Sequence, residues 1–163
     1  RELVPHRARG YMLMDDRTYN SLPPSAKAIA KPGLIYNAPL HDTSMKVPGG
    51  GLLSTAEDLV RFGIALNTGA LLPRDSVELM WTELSTTDGK PTGYGLGWGV
   101  TPAQEGVRRL THSGNQAGAA TVLHVIPEEG VVIALMTNLE DYEVGRLSRE
   151  AANVLRAYVR SRR

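Results

Sequence analysis

Apolar residues recur with two different periods along this chain, and each period predicts one kind of element. Between Leu59 and Leu66 they recur every three to four residues, which predicts an amphipathic helix. Ser54 or Thr55 would cap this helix, and a Glu three residues after Ser54 matches a capping box. Gly69 lies where the helix would end.

Two further helices are predicted downstream. A short helix after Pro73 would bury Val77 and Met80. A longer one over Asp141–Arg160 has an apolar stripe, and its opposite face carries arginines that we interpret as solvated rather than as a binding patch. The stripe consists of Val144, Leu147, Ala151, Val154, Leu155 and Tyr158, and the arginines are Arg146, Arg149, Arg156 and Arg160.

Strands are predicted between the helices. In Gly93–Val100 large apolar residues alternate with glycines, which predicts a strand with a flat glycine face and a close neighbour on that face. Three more strands are predicted at Val107–Ser113, Ala119–Ile126 and Val131–Thr137, and a hairpin joins the last two. Because Val131–Met136 is apolar on both faces, we expect this strand to lie centrally in the sheet.

Prolines interrupt residues 1–48, which predicts loops around short extended pieces such as Gly10–Met14, a segment that wraps the rest. Residues 49–163 would supply the helices and strands. The order is loops, two helices, two strands, a hairpin and a helix, which predicts an α+β fold with an antiparallel sheet flanked by helices. We assign residues 1–163 to a single partial domain.

Composition and charge exclude several classes of function. The 163 residues include 18 Lys and Arg against 17 Asp and Glu, so the net charge of +1 gives no field that would attract nucleic acid. Arginines near the carboxyl end lack the interleaved aromatic residues of an RNA-binding surface. The longest apolar run, Val131–Met136, is too short to span a membrane. Cysteine is absent, which excludes disulfides and thiolate chemistry.

The four histidines do not form a metal-binding pattern. His6, His41, His112 and His124 show no spacing typical of paired ligands, and His41 with Asp42 is an isolated polar pair. His124 lies inside a predicted strand, where we expect a packed or edge-facing imidazole. No phosphate-binding glycine motif occurs, so the sequence predicts neither a metal nor a cofactor.

His112 differs from the other histidines because it lies near the end of a strand and Gly114 follows shortly after it. Glycine lets a ligand approach the backbone closely, and imidazole titrates near neutral pH. Ser113 points to the opposite face of the strand from His112, so these two residues would make a poor nucleophile and base pair. A site here needs residues from elsewhere.

Four segments follow one another along the chain in a recognisable order: Ala8–Tyr11, Pro48–Leu59, Gly93–Trp98, and His112–Gly114 with the hairpin that follows it. Together they resemble the carboxy-terminal half of the serine β-lactamase superfamily. Within it they are most similar to the branch of class C β-lactamases, penicillin-binding-protein-like DD-peptidases and related esterases.

The resemblance implies roles for four consecutive residues. His112-Ser113-Gly114 matches the family's third motif, K-T-G or H-x-G, with His112 in place of the lysine. In that position His112 would face the nucleophile and either polarise the tyrosine of the second motif or contact substrate. Gly114 would keep the strand open to substrate, and the Asn115 N–H would supply one of two oxyanion-hole donors.

The first two family motifs are absent from the 163 residues. Neither S-x-x-K nor Y-x-N occurs, so the nucleophile and base belong to another stretch of chain, to another polypeptide, or to nothing. The resemblance therefore implies part of a hydrolase that forms an acyl-enzyme with esters, small peptides or β-lactams. We expect this chain alone to be inactive. Esters and peptides rank above β-lactams, because an imidazole of ordinary pKa, about 6.5, is mostly neutral near pH 7 and would bind a β-lactam carboxylate poorly.

The alternative is a non-catalytic module that binds a partner or itself. If an amino-terminal half is missing, the surface that it covered would be apolar and the edges of the sheet would be open, and both features favour association. The family is frequently exported, but no stretch of these residues has the pattern of a signal peptide, so the compartment stays open.

Overall fold

A computed structural model of the chain describes residues 7–39, 46–104 and 106–162. Its strands form two sheets, an antiparallel pair β1-β2 and a four-stranded sheet in the order β3-β4-β5-β6. With the flanking helices this is the predicted α+β fold. The elements are β1 (Tyr11–Leu13), α1 (Asp16–Ser21), α2 (Pro24–Lys27), β2 (Ile35–Asn37), α3 (Ala56–Asn67), α4 (Arg74–Met80), β3 (Gly99–Gln104), β4 (Val107–Gln116), β5 (Ala119–Ile126), β6 (Val131–Thr137) and α5 (Val144–Arg160).

The chain divides into two compact units. The first comprises residues 1–52, 115–120 and 137–142, and the second comprises residues 53–114, 121–136 and 143–163. In the first unit, the antiparallel register of β1 and β2 places Met12 opposite Tyr36. The Tyr11 N–H donates to the Asn138 carbonyl oxygen at 2.7 Å, which joins β1 to the segment 137–142.

The second unit has an apolar cluster on each face of its sheet. One cluster packs α3 and α4 against the sheet around Trp81 and Trp98, whose rings meet edge to face with centroids 6.2 Å apart. The other packs α5 against Ile126, Val131 and Ile133. Burial of Val77 in the first cluster, with Met80 packed against it, confirms the short helix predicted after Pro73.

Strand β6 confirms one prediction and corrects another. Val131 and Ile133 face the α5 cluster while Val132 and Ala134 face the other, so both faces of the strand are covered as predicted. The strand does not lie centrally, because it is the last of the four strands in the part of the sheet that the structure describes. Apolar residues on both faces of a strand indicate that both faces are covered. They do not indicate whether the strand has a hydrogen-bonded neighbour on each side.

Helix α3 begins one residue later than a Ser54 cap would give. The Thr55 Oγ1 accepts a hydrogen bond from the Asp58 N–H at 3.1 Å, so Thr55 is the N-cap. The helix lies so close to β6 that a Cβ on Gly63 would stand 2.6 Å from the Val132 Cγ1. Glycine at this position therefore permits the packing of helix on sheet.

Helix α5 buries only the first part of the stripe predicted for it. Val144 is buried and Ala151 packs against the cluster on that face, as predicted, whereas the stripe residues Val154, Leu155 and Tyr158 are exposed. The cause is Glu129, a buried carboxylate at the β5-β6 turn that needs cationic partners. Two arginines of the predicted solvated face supply them: Arg156 Nε lies 2.5 Å and Arg160 NH2 lies 3.0 Å from the Glu129 carboxylate.

None of the helices described is both long enough and apolar enough to cross a membrane.

Candidate active site

The three residues of the third motif and the Asn115 that follows them lie in the last part of β4. His112, Ser113, Gly114 and Asn115 are consecutive and all exposed. The first three belong to the second unit, and Asn115 begins the next segment of the first. A Cβ built on Gly114 would meet no atom within 4 Å, so the strand is open at this residue.

His112 contacts a residue that the sequence analysis did not single out. The Tyr94 Oη lies 3.0 Å from the His112 Nδ1, a hydrogen-bond distance. Register explains the contact: β3 and β4 pair Gly99 with Thr111, and Tyr94 forms an isolated antiparallel bridge with Gly99. Tyr94 therefore lies beside β3, and its hydroxyl reaches His112 on the neighbouring strand β4.

Tyr94 belongs to a tight turn and not to the strand predicted over Gly93–Val100. Only Gly99 and Val100 of that run belong to β3, and Gly93 and Gly97 have positive φ angles of 68° and 81°. Such angles break the extended conformation that an alternating pattern requires. Trp98 is buried, whereas Tyr94 and Leu96 are exposed.

The close neighbour predicted for the glycines is the end of α4. A Cβ on Gly95 would overlap the Met80 carbonyl oxygen and stand 2.8 Å from the Thr82 carbonyl oxygen. The Leu96 N–H donates to that Met80 oxygen at 3.0 Å. Helix α4 thus supports the turn that presents Tyr94.

Tyr94 was missed because alternation assigned it to the apolar face of a strand. Two glycines that need positive φ, one on each side of a tyrosine, are the signal that favours a turn with an exposed phenol. These glycines alone do not show that the phenol contacts His112. That contact depends on the register of β3 and β4, which is known only from the folded chain.

Gln116 at the end of β4 contacts the glycine-rich turn that follows the predicted wrapping segment, within the first unit. The Gln116 Nε2 donates to the Gly50 carbonyl oxygen at 2.8 Å, and the Lys46 Nζ donates to the Gln116 Oε1 at 3.4 Å. These bonds hold segment 115–120 against residues 46–50.

His124 is a core residue, as the sequence predicts. It is 1% exposed, and neither ring nitrogen makes a hydrogen bond of good geometry among the described residues. Burial away from water, and after it the positive charge of Arg109, lowers the pKa of His124 to about 4. The backbone of Ser148 opposes this effect, and Arg149 and Arg156 add to it. His124 is therefore neutral at neutral pH.

The other two histidines, His6 and His41, lie outside the described residues. Within residues 7–39, 46–104 and 106–162, no group of three or more His, Cys, Asp or Glu side chains could hold a metal ion.

Comparison with known proteins places this chain in a family. Residues 3–157 match the family model described as Beta-lactamase, so the chain belongs to that family. It is 29% identical to the human serine beta-lactamase-like protein LACTB, mitochondrial, over 65% of this chain and 26% of that protein. It is 36% identical to penicillin-binding protein 4 of Amycolatopsis lactamdurans, over 56% of this chain and 26% of that protein.

A solved structure shares the fold. The D-stereospecific amidohydrolase from Streptomyces sp. superposes with a TM-score of 0.54 at 20% identity, over 85% of this chain and 36% of that one. The chain spans about a quarter of the length of the curated relatives it matches.

Proposed function

We propose that this chain is the carboxy-terminal part of a serine β-lactamase-like hydrolase that acts through an acyl-enzyme. The observation that carries the proposal is the exposed His112 of an H-x-G sequence, hydrogen-bonded to Tyr94 and followed by a strand position with open space. Membership of the Beta-lactamase family supports it.

In this proposal the end of β4 forms one wall of the site. A serine Oγ attacks the carbonyl carbon of the substrate, the leaving group departs, and water later hydrolyses the acyl-enzyme. His112 polarises a catalytic hydroxyl or contacts the substrate. The Asn115 N–H donates to the developing oxyanion, and a donor of this kind contributes about 2.7–4 kcal/mol. The open space at Gly114 admits the substrate backbone.

The nucleophile in this proposal lies outside the 163 residues. No S-x-x-K sequence occurs in them, and Ser113 follows His112 on a strand, where successive side chains point to opposite faces. Residues 1–163 then correspond to one partial domain, and alone they hydrolyse no ester at a measurable rate.

Esters and small peptides are the proposed substrates ahead of β-lactams. A lysine in the third motif would give a fixed positive charge for a β-lactam carboxylate, and this chain has His112 there. In the complete protein, we expect a higher kcat/KM for an aryl ester than for a cephalosporin. The reverse preference would overturn this choice of substrate.

His112→Ala tests the site itself. Loss of a polarising or acid–base group lowers kcat/KM for the aryl ester in the complete protein by about 100-fold. Lys90→Ala is the matched control, because Lys90 is an exposed cation that pairs with Asp88 in a turn remote in sequence from the motif. Equal activity of the two variants would contradict the proposal.

A second candidate function is association without catalysis. Helix α5 favours it, because Val154, Leu155 and Tyr158 form an exposed apolar set on one element. A complete protein that binds partners and hydrolyses no acyl substrate would favour this candidate.

A further inference from the structure

The backbone of Tyr94 is held by hydrogen bonds on both of its polar groups. Its carbonyl oxygen accepts from the Leu84 N–H at 2.8 Å and from the Thr92 Oγ1 at 2.9 Å. Its N–H donates to the same Thr92 Oγ1 at 3.2 Å. Tyr94 is 42% exposed, so these backbone hydrogen bonds, and not burial of its side chain, hold the residue in place.

The rest of the turn is held in the same way. The Gly95 N–H donates to the Trp98 carbonyl oxygen at 2.7 Å, and the Val100 N–H donates to the Gly93 carbonyl oxygen at 2.8 Å. Trp98 is 4% exposed and packs in the core cluster, so the turn is anchored at that end. A phenol on such a support can hold a neighbouring side chain in one orientation.

The chemistry of the two groups decides the direction of their hydrogen bond. A neutral imidazole has one nitrogen that accepts and one that carries a proton, and a phenol can donate or accept. The bare imidazole nitrogen is a much better acceptor than a phenol oxygen, and the phenol is a good donor. The stronger arrangement therefore has the Tyr94 hydroxyl donating to the His112 Nδ1, with the imidazole proton on Nε2.

We propose that Tyr94 is a positioning residue that holds neutral His112 in the Nε2–H form, so that His112 presents a hydrogen-bond donor to the site. This inference rests on the proposed function for its role in catalysis, and it deepens that function by giving His112 a direction. A donor at Nε2 serves an oxygen of the substrate or of a catalytic hydroxyl. It cannot at the same time remove a proton from the nucleophile.

Nuclear magnetic resonance reads the tautomer directly. In the complete protein labelled with 15N-histidine, at a pH where imidazole is neutral, we expect an unprotonated His112 Nδ1 and a protonated Nε2. Tyr94→Phe keeps the ring and removes the donor, so the 15N resonance of Nδ1 moves toward that of a nitrogen without a hydrogen bond. A protonated Nδ1 in the wild type, or unchanged His112 resonances in the variant, would overturn the proposal.

Kinetics of the same variants separate this inference from the proposed function. Tyr94→Phe should lower kcat/KM for an aryl ester about five-fold, the ratio that one hydrogen bond of ordinary strength is worth. Tyr158→Phe is the matched control, because Tyr158 is an exposed tyrosine on α5 whose ring contacts Arg162 and would still do so as phenylalanine. The control should leave both the resonances and the rate unchanged.

If the expected tautomer is found in a protein without esterase activity, the Tyr94 to His112 contact stands and the proposed function fails. If the protein is an active esterase but Tyr94→Phe changes neither resonance nor rate, the proposed function stands and this inference fails.

Discussion

His124 shows how one buried side chain makes the free energy of unfolding depend on pH. Its ring lies inside the second unit and makes no hydrogen bond of good geometry to the residues that the structure describes, and Arg109, Arg149 and Arg156 disfavour a positive charge on it. Burial and these charges together disfavour a proton on the folded ring. The unfolded chain, in contact with water, binds that proton readily.

We predict that the free energy of unfolding falls as the pH drops from about 6.5 to about 4. The pKa of His124 is about 4 in the folded chain, below the ordinary value of 6.5, so the unfolded state takes up the proton first. The difference amounts to roughly 3 kcal/mol over that window. His124→Leu, measured by urea unfolding across the window, should remove this part of the slope. An unchanged slope would contradict the prediction.

Carboxylates do not account for the same window. Arg108 lowers the pKa of Glu78 below its ordinary value of 4.5, and the stability that follows from this is lost only at lower pH. Between about pH 4.5 and 6.5, the change in the free energy of unfolding is therefore due mainly to histidine.

Gly95 and Gly114 are two glycines for which substitution by alanine should change the free energy of unfolding by very different amounts. At Gly95 a Cβ would overlap the end of α4, so Gly95→Ala should lower the free energy of unfolding by about 1–3 kcal/mol. At Gly114 a Cβ meets nothing within 4 Å, so Gly114→Ala should change it by less than about 0.5 kcal/mol. Thermal unfolding of the two variants checks this, and equal destabilisation would contradict it.

At the scale of elements, the sequence correctly predicted the strands whose apolar pattern follows directly from their own burial. Strands β5 and β6 have the predicted bounds, because branched apolar residues in them are buried on the sheet. Helix α5 was predicted as a helix, but the second part of its predicted stripe is exposed, since in that part Arg156 and Arg160 bind a buried carboxylate on the distant turn after β5. Periodicity contains no information about that partner.

Glu129 provides the test of this explanation. Its side chain is 5% exposed and binds Arg156 and Arg160, so Glu129→Gln removes a buried negative charge and its charge-assisted hydrogen bonds and should cost about 2–3 kcal/mol. Glu57→Gln is the matched control: Glu57 also pairs with an arginine, but its side chain is 73% exposed, and the change should cost less than about 0.5 kcal/mol. Denaturant unfolding measures both. Similar losses in the two variants would show that Glu129 does not orient α5.

For the whole molecule, the candidate site divides into a part that the sequence predicts and a part that only folding creates. His112, Ser113 and Gly114 were found because they are consecutive, and a motif of consecutive residues can be recognised in the sequence alone. Tyr94 and His112 are 18 residues apart along the chain. They meet only because β3 pairs with β4. Residues that complete a site across such distances leave no local pattern.

The central claim is that this chain contributes a wall of a serine hydrolase whose nucleophile lies outside residues 1–163. The most direct test treats the complete protein with a fluorophosphonate and locates the adduct by mass spectrometry of its peptides. We predict a stoichiometric adduct on a serine outside these residues, with labelling slowed by His112→Ala. An adduct on Ser113 or another serine of the chain, or no adduct on a folded protein, would contradict the claim.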